Sequence, residues 1–217
     1  MRPGGEVHQP WPSRIGLTAA VALGLVACAS TTRFDSTWKA PEAGPLNFRG
    51  RKVAALVISD NTATRFSAED LLARELRARG VEGIPAYDLI PQSETRDKDR
   101  ARTLFNQAGI AGVVVLRAAG VQKEIVSSGG YWSIPSYGSF WGVGYYGYGW
   151  NAVNDGTRVH TDTIVRVETM VYDLEADKLV WAGLSESTNT SKAETLIKEL
   201  VATAAAEMKK QGLIRSR

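Results

Sequence analysis

The chain has 217 residues, 44% of them hydrophobic and 23% charged, with a formal net charge of +3. This is globular composition, and it excludes a disordered tail, a collagen-like chain and a multi-span membrane protein. The single cysteine excludes a disulfide framework and a cysteine-based structural zinc site, and the length suits one domain with additions.

The first element is an address. Ile15 to Ala27 is an uncharged, mostly apolar run of 13 residues, preceded by Arg2 and Arg14 with Glu6 as its one flanking acid. A bilayer-spanning helix needs about 20 residues, so the run reads as the core of a secretory signal peptide, residues 1–27. Its exit, Leu25-Val26-Ala27-Cys28, resembles a bacterial lipobox. That resemblance implies cleavage before Cys28 and lipidation of its sulfur, including a palmitate-type acyl chain. Ala29, where an aspartate would signal retention, implies sorting to the outer membrane. A plain signal peptide, or a buried helix with an incidental cysteine, is the competing reading. Cleavage removes Arg2, Arg14 and Glu6 and leaves a formal charge of +2, too weak for a nucleic-acid partner.

Residues 28–48 are small and polar, with Pro41, Gly44 and Pro45, and read as a lipidated tether of roughly 25 Å span. The domain is expected over 49–214. Arg51–Ser59 is a continuous apolar strand of the kind buried on both faces. A helix is expected from Ser67 as N-cap with Asp70 as its partner, carrying Leu71, Leu72 and Leu76 and closed by Arg74, Arg77, Arg79 and Gly80. Val81–Tyr87 reads as a short strand near an edge, because Pro85 removes a ladder donor. Asp97 to Ala108 reads as a second helix stopped by Gly109, and Gly112–Ala118 as a third buried strand. Val159 to Leu174 is a long strand, with Val165, Val167 and Val171 facing in and Arg166, Glu168 and Tyr172 on a wet face. A turn at 175–178 leads to the returning strand Leu179–Ser187. Ser191 and Glu194 open a last helix, with Ile197, Leu200, Val201, Ala204 and Met208 at helical spacing. The fold class is α/β (an α+β mixed sheet). β-α-β-α-β is followed by a long antiparallel hairpin and a C-terminal helix, with the helices packed on the sheet.

Between Glu124 and Asp155 there is no charged side chain. Nine of the chain's 18 aromatic residues crowd into this insert (127–155): Tyr131, Trp132, Tyr137, Phe140, Trp141, Tyr145, Tyr146, Tyr148 and Trp150. Interleaved glycines make the backbone costly to order, and the rings cost free energy if left in water. Three readings stay open: a cover folded over an exposed sheet face, a weakly ordered loop, or a contact surface for a protein, membrane or glycan.

Chemistry is thin. After cleavage the one histidine is His160. No spacing assembles a metal site or triad around it, although Asp155 and Asp162 lie near in sequence. Glu69-Asp70 and Asp97–Arg100 read as solvated helix starts, and Arg74/Arg77/Arg79 as a helix end in preference to a site for anionic lipid or polysaccharide. No phosphate-cradling glycine motif is present. The expectation is a protein that is not an enzyme, with no catalytic residue, metal or cofactor.

The order of pieces resembles a family of uncharacterised bacterial envelope lipoproteins. The residues carrying this are Ser36-Thr37-Trp38-Lys39 with Pro41 and Gly44, the strand Lys52–Ile58, Ala86-Tyr87 with Pro91, and Tyr172-Asp173-Leu174 followed by Lys178–Gly183. The plan is similar to curli-secretion and penicillin-binding-protein activator lipoproteins and to the N-terminal domain of TolB. The aromatic–glycine insert falls outside the curli-secretion pattern, and Trp181 reads as a core anchor. The resemblance implies an outer-membrane protein, lipid-anchored at Cys28 and facing the periplasm, that binds another envelope component through a sheet edge or the aromatic segment. The alternative is a glycan- or peptidoglycan-binding module that stacks its rings on sugars.

Overall fold

Six uncharged residues after Lys52 make β2 (Lys52–Ile58), and Val53 through Ile58 are all buried. A strand apolar on both faces needs covering layers on both, and the sheet has them. The computed structural model describes residues 32–59, 61–95, 97–122, 139–145, 164–188 and 192–215.

Helix α1 (Thr62–Arg77) follows β2. Its cap is Asn61, whose Oδ1 accepts the Thr64 N–H at 2.9 Å. The helix therefore starts before Ser67, and Asp70 instead accepts the Tyr87 hydroxyl at 2.6 Å. Arg65, Ala68, Glu69, Leu72, Ala73 and Leu76 form its buried stripe. The chain returns as β3 (Glu82–Pro85), parallel to β2. A Cβ on Gly83 would lie 2.4 Å from the Ala73 carbonyl oxygen, so only glycine lets α1 approach this closely. The strand stops at Pro85, and the single turn α2 (Ala86–Leu89) replaces its expected end.

Helix α3 (Lys98–Ala108) is capped by Asp97, which accepts the Arg100 N–H at 2.9 Å, and closed by Gly109 at φ 70°. β4 (Ile110–Gln122) then runs parallel to β2 on the side away from β3. β5 (Ile164–Asp173) and β6 (Lys178–Thr188) form the expected antiparallel hairpin beside it. Helix α4 (Ala193–Lys210) buries Ile197, Leu200, Val201, Ala204 and Met208. Its cap position is Lys192, without a side-chain hydrogen bond. The expected cap, Ser191, lies outside the described residues, as does the start of the β5 strand expected at Val159.

The architecture is an α/β fold, with the described residues forming a mixed six-stranded sheet in the order β1-β6-β5-β4-β2-β3. One core layer joins the sheet to α1 and α4 around Leu72, Trp181 and Leu200. The other joins the opposite face to α2, α3 and the aromatic turn around Phe105, Phe140 and Tyr172. Trp181 is fully buried and meets Phe34 edge-on at 5.3 Å, so it is a core anchor.

Two expectations are corrected. Residues 28–48 read as tether, yet Thr32–Lys39 is β1, an edge strand antiparallel to β6. Its supports come from far along the chain. The Thr32 and Ser187 hydroxyls are 2.6 Å apart, and Gln211 donates from Nε2 to Thr37 Oγ1 at 2.9 Å. A bulge at Asp35 lets Phe34 and Thr37 serve the same face. The second correction concerns the face of β5 expected to be wet. Glu168 is 0% and Tyr172 5% exposed. The aromatic turn covers that face, with Phe140 meeting Tyr172 at 5.2 Å.

Candidate functional site

Of the nine aromatic residues expected as contacts, three are described, and all three are interior. Phe140 and Tyr145 are 0% exposed and Trp141 is 3% exposed. They are corrected from contact residues to core. Phe140–Gly144 forms one π-helical turn opened by Ser139, whose hydroxyl accepts the Gly142 N–H at 3.0 Å and pairs with the Asp177 carboxylate. Trp141 meets Phe105 at 5.5 Å, and the Tyr145 hydroxyl donates to the Thr95 carbonyl at 2.8 Å. Burial pushes the Tyr145 phenol far up. The nine-residue cluster has thus, in its described part, found cover on a sheet face. Tyr131, Trp132, Tyr137, Tyr146, Tyr148 and Trp150 lie outside the described residues, as do Cys28, Asp155, His160 and Asp162.

The arginines at the end of α1 are engaged by the fold. Arg77 donates to the Gly83 carbonyl at 2.7 Å and Arg79 to Glu75 at 2.7 Å, while Arg74 lies 4.0 Å from Glu194. Glu69, fully buried, accepts the Val57 and Tyr87 N–H groups at 3.2 and 2.9 Å. It ties β2 to α2 as a structural carboxylate.

The sheet brings together a set of charges that sequence order separates. On the face that carries the aromatic turn, Arg33, Glu186 and Arg166 sit opposite one another on β1, β6 and β5. Arg33 Nη2 donates to Glu186 Oε2 at 3.1 Å and Arg166 Nε to Glu186 Oε1 at 2.7 Å. Asp35 lies 3.7 Å from Arg33. The hydrogen bond from Arg166 holds the Glu186 carboxyl below its ordinary range. Burial, then the charge of Glu186, pushes Asp35 up. One row further in, Arg117 Nε donates to Glu168 Oε2 at 2.7 Å. Three guanidinium groups thus face three carboxylates. The row is neutral overall, so it orders this end of the sheet without creating a strong field for an ionic ligand.

Beside that row is the outer side of β1. β1 hydrogen-bonds to β6 on one side and is terminal in the sheet order, so among the described residues no strand pairs with its other edge. A groove of about 360 Å³ runs between it and α4, lined by Thr32 to Thr37 with Thr203, Glu207 and Lys210. Bulge and charges at Arg33 and Asp35 narrow what can pair with such an edge. Sequence reading missed this strand. Its signal was the alternation of Thr32 and Phe34 with Arg33 and Asp35, which the bulge at Asp35 breaks before Thr37 and which is weak in so short a run.

Among the described residues, no helix is long and apolar enough to cross a membrane. No protein-family description and no curated protein sequence matches the chain. Three solved structures are similar in chain path. A dodecamer of a PelC point variant from Paraburkholderia phytofirmans aligns with a TM-score of 0.46 at 15% identity, over 84% of this chain and 99% of that one. A second PelC dodecamer from the same organism gives 0.43 at 14%, over 83% and 99%. Lipoprotein GNA1162 from Neisseria meningitidis gives 0.39 at 12%, over 74% and 99%.

Proposed function

We propose that the protein is a non-catalytic lipoprotein of the outer membrane, anchored at Cys28 after removal of residues 1–27, whose α/β domain faces the periplasm and binds another envelope protein along the open β1 edge. The observation that carries the reading is this edge. Among the described residues this eight-residue strand is the last of the sheet, next to the groove formed with α4. An open edge offers main-chain donors and acceptors for an added strand, and the groove supplies side-chain selectivity. The rings that sequence put forward as the rival surface support the same choice, because the three that are described fill the core.

Two measurements test the reading. Metabolic palmitate labelling of the full chain should mark the wild type and not Cys28→Ser. Photo-cross-linkers at Asp35 and Lys210 should trap one discrete partner in intact cells, and one at the exposed Arg102 on α3 should not. Glu207→Lys, inside the groove, should weaken that cross-link. An unlabelled wild type removes the anchor. Equal trapping from Arg102 removes the edge as the binding surface.

A further inference from the structure

We propose that the domain is held end-on against the bilayer, with the end of the sheet where β1 begins as its lipid-apposed face. The inference rests on the reading of Cys28 as the lipid-bearing residue and specifies what that reading leaves open, namely which surface meets the membrane.

The argument is one of length. Sequence reading allowed about 20 residues of tether, enough to leave the domain free in orientation. The described part of the sheet already begins at Thr32, four residues after Cys28. Four residues reach at most about 14 Å even when fully extended. Thr32 itself does not swing. Its hydroxyl is 2.6 Å from that of Ser187 on β6 and donates to Glu199 on α4 at 3.0 Å, and it is 4% exposed. The anchor therefore acts on a rigid point of the fold, not on a flexible arm.

That point lies at one end of the sheet. In the register, Thr32 pairs with Ser187, Ser187 with Val165, and Val165 with Val121. The end of β6, the start of β5 and the end of β4 are thus level with it. The opposite end is the β5–β6 turn at Ala176, separated by the ten-residue length of β5, which is about 30 Å. A 14 Å link cannot place that turn at the headgroups while Thr32 is also within reach, unless the domain lies flat. That end carries the Arg33 side chain, 77% exposed and paired with Glu186, so the orientation is set by the length of the link and not by a net charge.

Because the natural cysteine is acylated, an added cysteine is the one free thiol. Full-length lipidated Thr188→Cys, Ala176→Cys and Glu42→Cys, all at exposed positions, would carry a fluorophore in phosphatidylethanolamine–phosphatidylglycerol vesicles with nitroxide-labelled headgroups. End-on apposition predicts quenching at 188, beside Thr32, and none at 176 in the far turn or at 42 beyond the far end of β1. Quenching at 176 equal to that at 188 overturns the proposal. Strong quenching at both 188 and 42 overturns it in favour of a domain lying on its β1 side. Insertion of a long Gly/Ser linker between Cys28 and Thr32 should abolish quenching at 188, and persistence there overturns the length argument. Palmitate labelling of each variant separates the two failures. An unlabelled chain defeats the lipoprotein reading, whereas a labelled chain quenched equally at both ends defeats only the orientation.

Discussion

Arg117 on β4 and Glu168 on β5 stand directly opposite each other in the antiparallel ladder, and the guanidinium closes on a carboxylate that is 0% exposed. One oxygen of Glu168, Oε1, has no hydrogen-bond partner among the described residues, so the pair depends on Arg117 for its charge balance.

Removing one member should therefore cost more than removing both. Arg117→Ala leaves an unpaired buried carboxylate and should lower the unfolding free energy by about 3 kcal/mol or more, whereas the double variant Arg117→Leu/Glu168→Leu should recover most of that loss. Urea unfolding of the two variants and the wild type reads both outcomes. A double variant no more stable than Arg117→Ala would show that the pair is not the source of the loss.

The aromatic turn yields the opposite expectation from a surface patch. Trp141 contacts Phe105, Phe140 and Tyr145 and is 3% exposed. Trp141→Ala should destabilise by about 3–5 kcal/mol through the cavity it opens, while truncating an exposed contact residue costs within about 0.5 kcal/mol. The same geometry disqualifies a deletion of 127–155 as a probe of partner contact, because it would strip Phe140, Trp141 and Tyr145 from the core. Thermal melts of Trp141→Ala decide between core and patch.

Alkaline titration should expose two raised phenols, that of buried Tyr172 and that of half-buried Tyr87. Burial, then the charge of Glu168, pushes Tyr172 up to about 12, and the hydrogen bond to Asp70 pushes Tyr87 up to about 12. Unfolded tyrosine ionises near pH 10. A group with its folded value raised holds its stabilising contribution below the unfolded value and loses it as pH climbs to the folded one. Stability should thus fall between pH 10 and about 12, with a shallower fall in Tyr172→Phe. Ultraviolet phenolate absorbance against pH, with chemical unfolding at each step, tests this. A phenolate signal complete near pH 10 in the folded protein would contradict it.

Asp35 and Glu186 should respond to acid in opposite directions. Glu186, held down by Arg166, stabilises the fold above the unfolded carboxylate value and stops doing so as pH falls. Asp35, pushed up by burial and by Glu186, favours the fold only while protonated, so its ionised form is a burden at neutral pH. Asp35→Asn should therefore be more stable than wild type at pH 7, with the margin vanishing in acid. A variant less stable than wild type at pH 7 would show that the Arg33 contact outweighs the repulsion.

How legible the fold was depended on where each element finds its reason. Val53–Ile58, the α4 stripe from Ile197 to Met208 and the hairpin around the 174–177 turn carry their periods within themselves. The Asp97 and Gly109 ends of α3 are likewise set by local cap chemistry. The start of α1 was misplaced because Ser67 and Asn61 are both competent caps, and only the hydrogen bond to Thr64 distinguishes them.

Sequence by itself settled the β-α-β-α-β order, the hairpin and the closing helix, because a strand or helix buried along its length must repeat its apolar residues at the period of its own backbone. Only the tertiary structure decided that Thr32–Lys39 is a strand, that Glu168 and Tyr172 are covered, and that Phe140, Trp141 and Tyr145 are core. Each of these depends on partners far away in the chain: Ser187 and Gln211 for β1, Arg117 for Glu168, and Phe105 and Asp177 for the aromatic turn. A polar or mixed segment has no period of its own strong enough to announce its face, so its burial is set by whichever surface the rest of the fold leaves for it to cover.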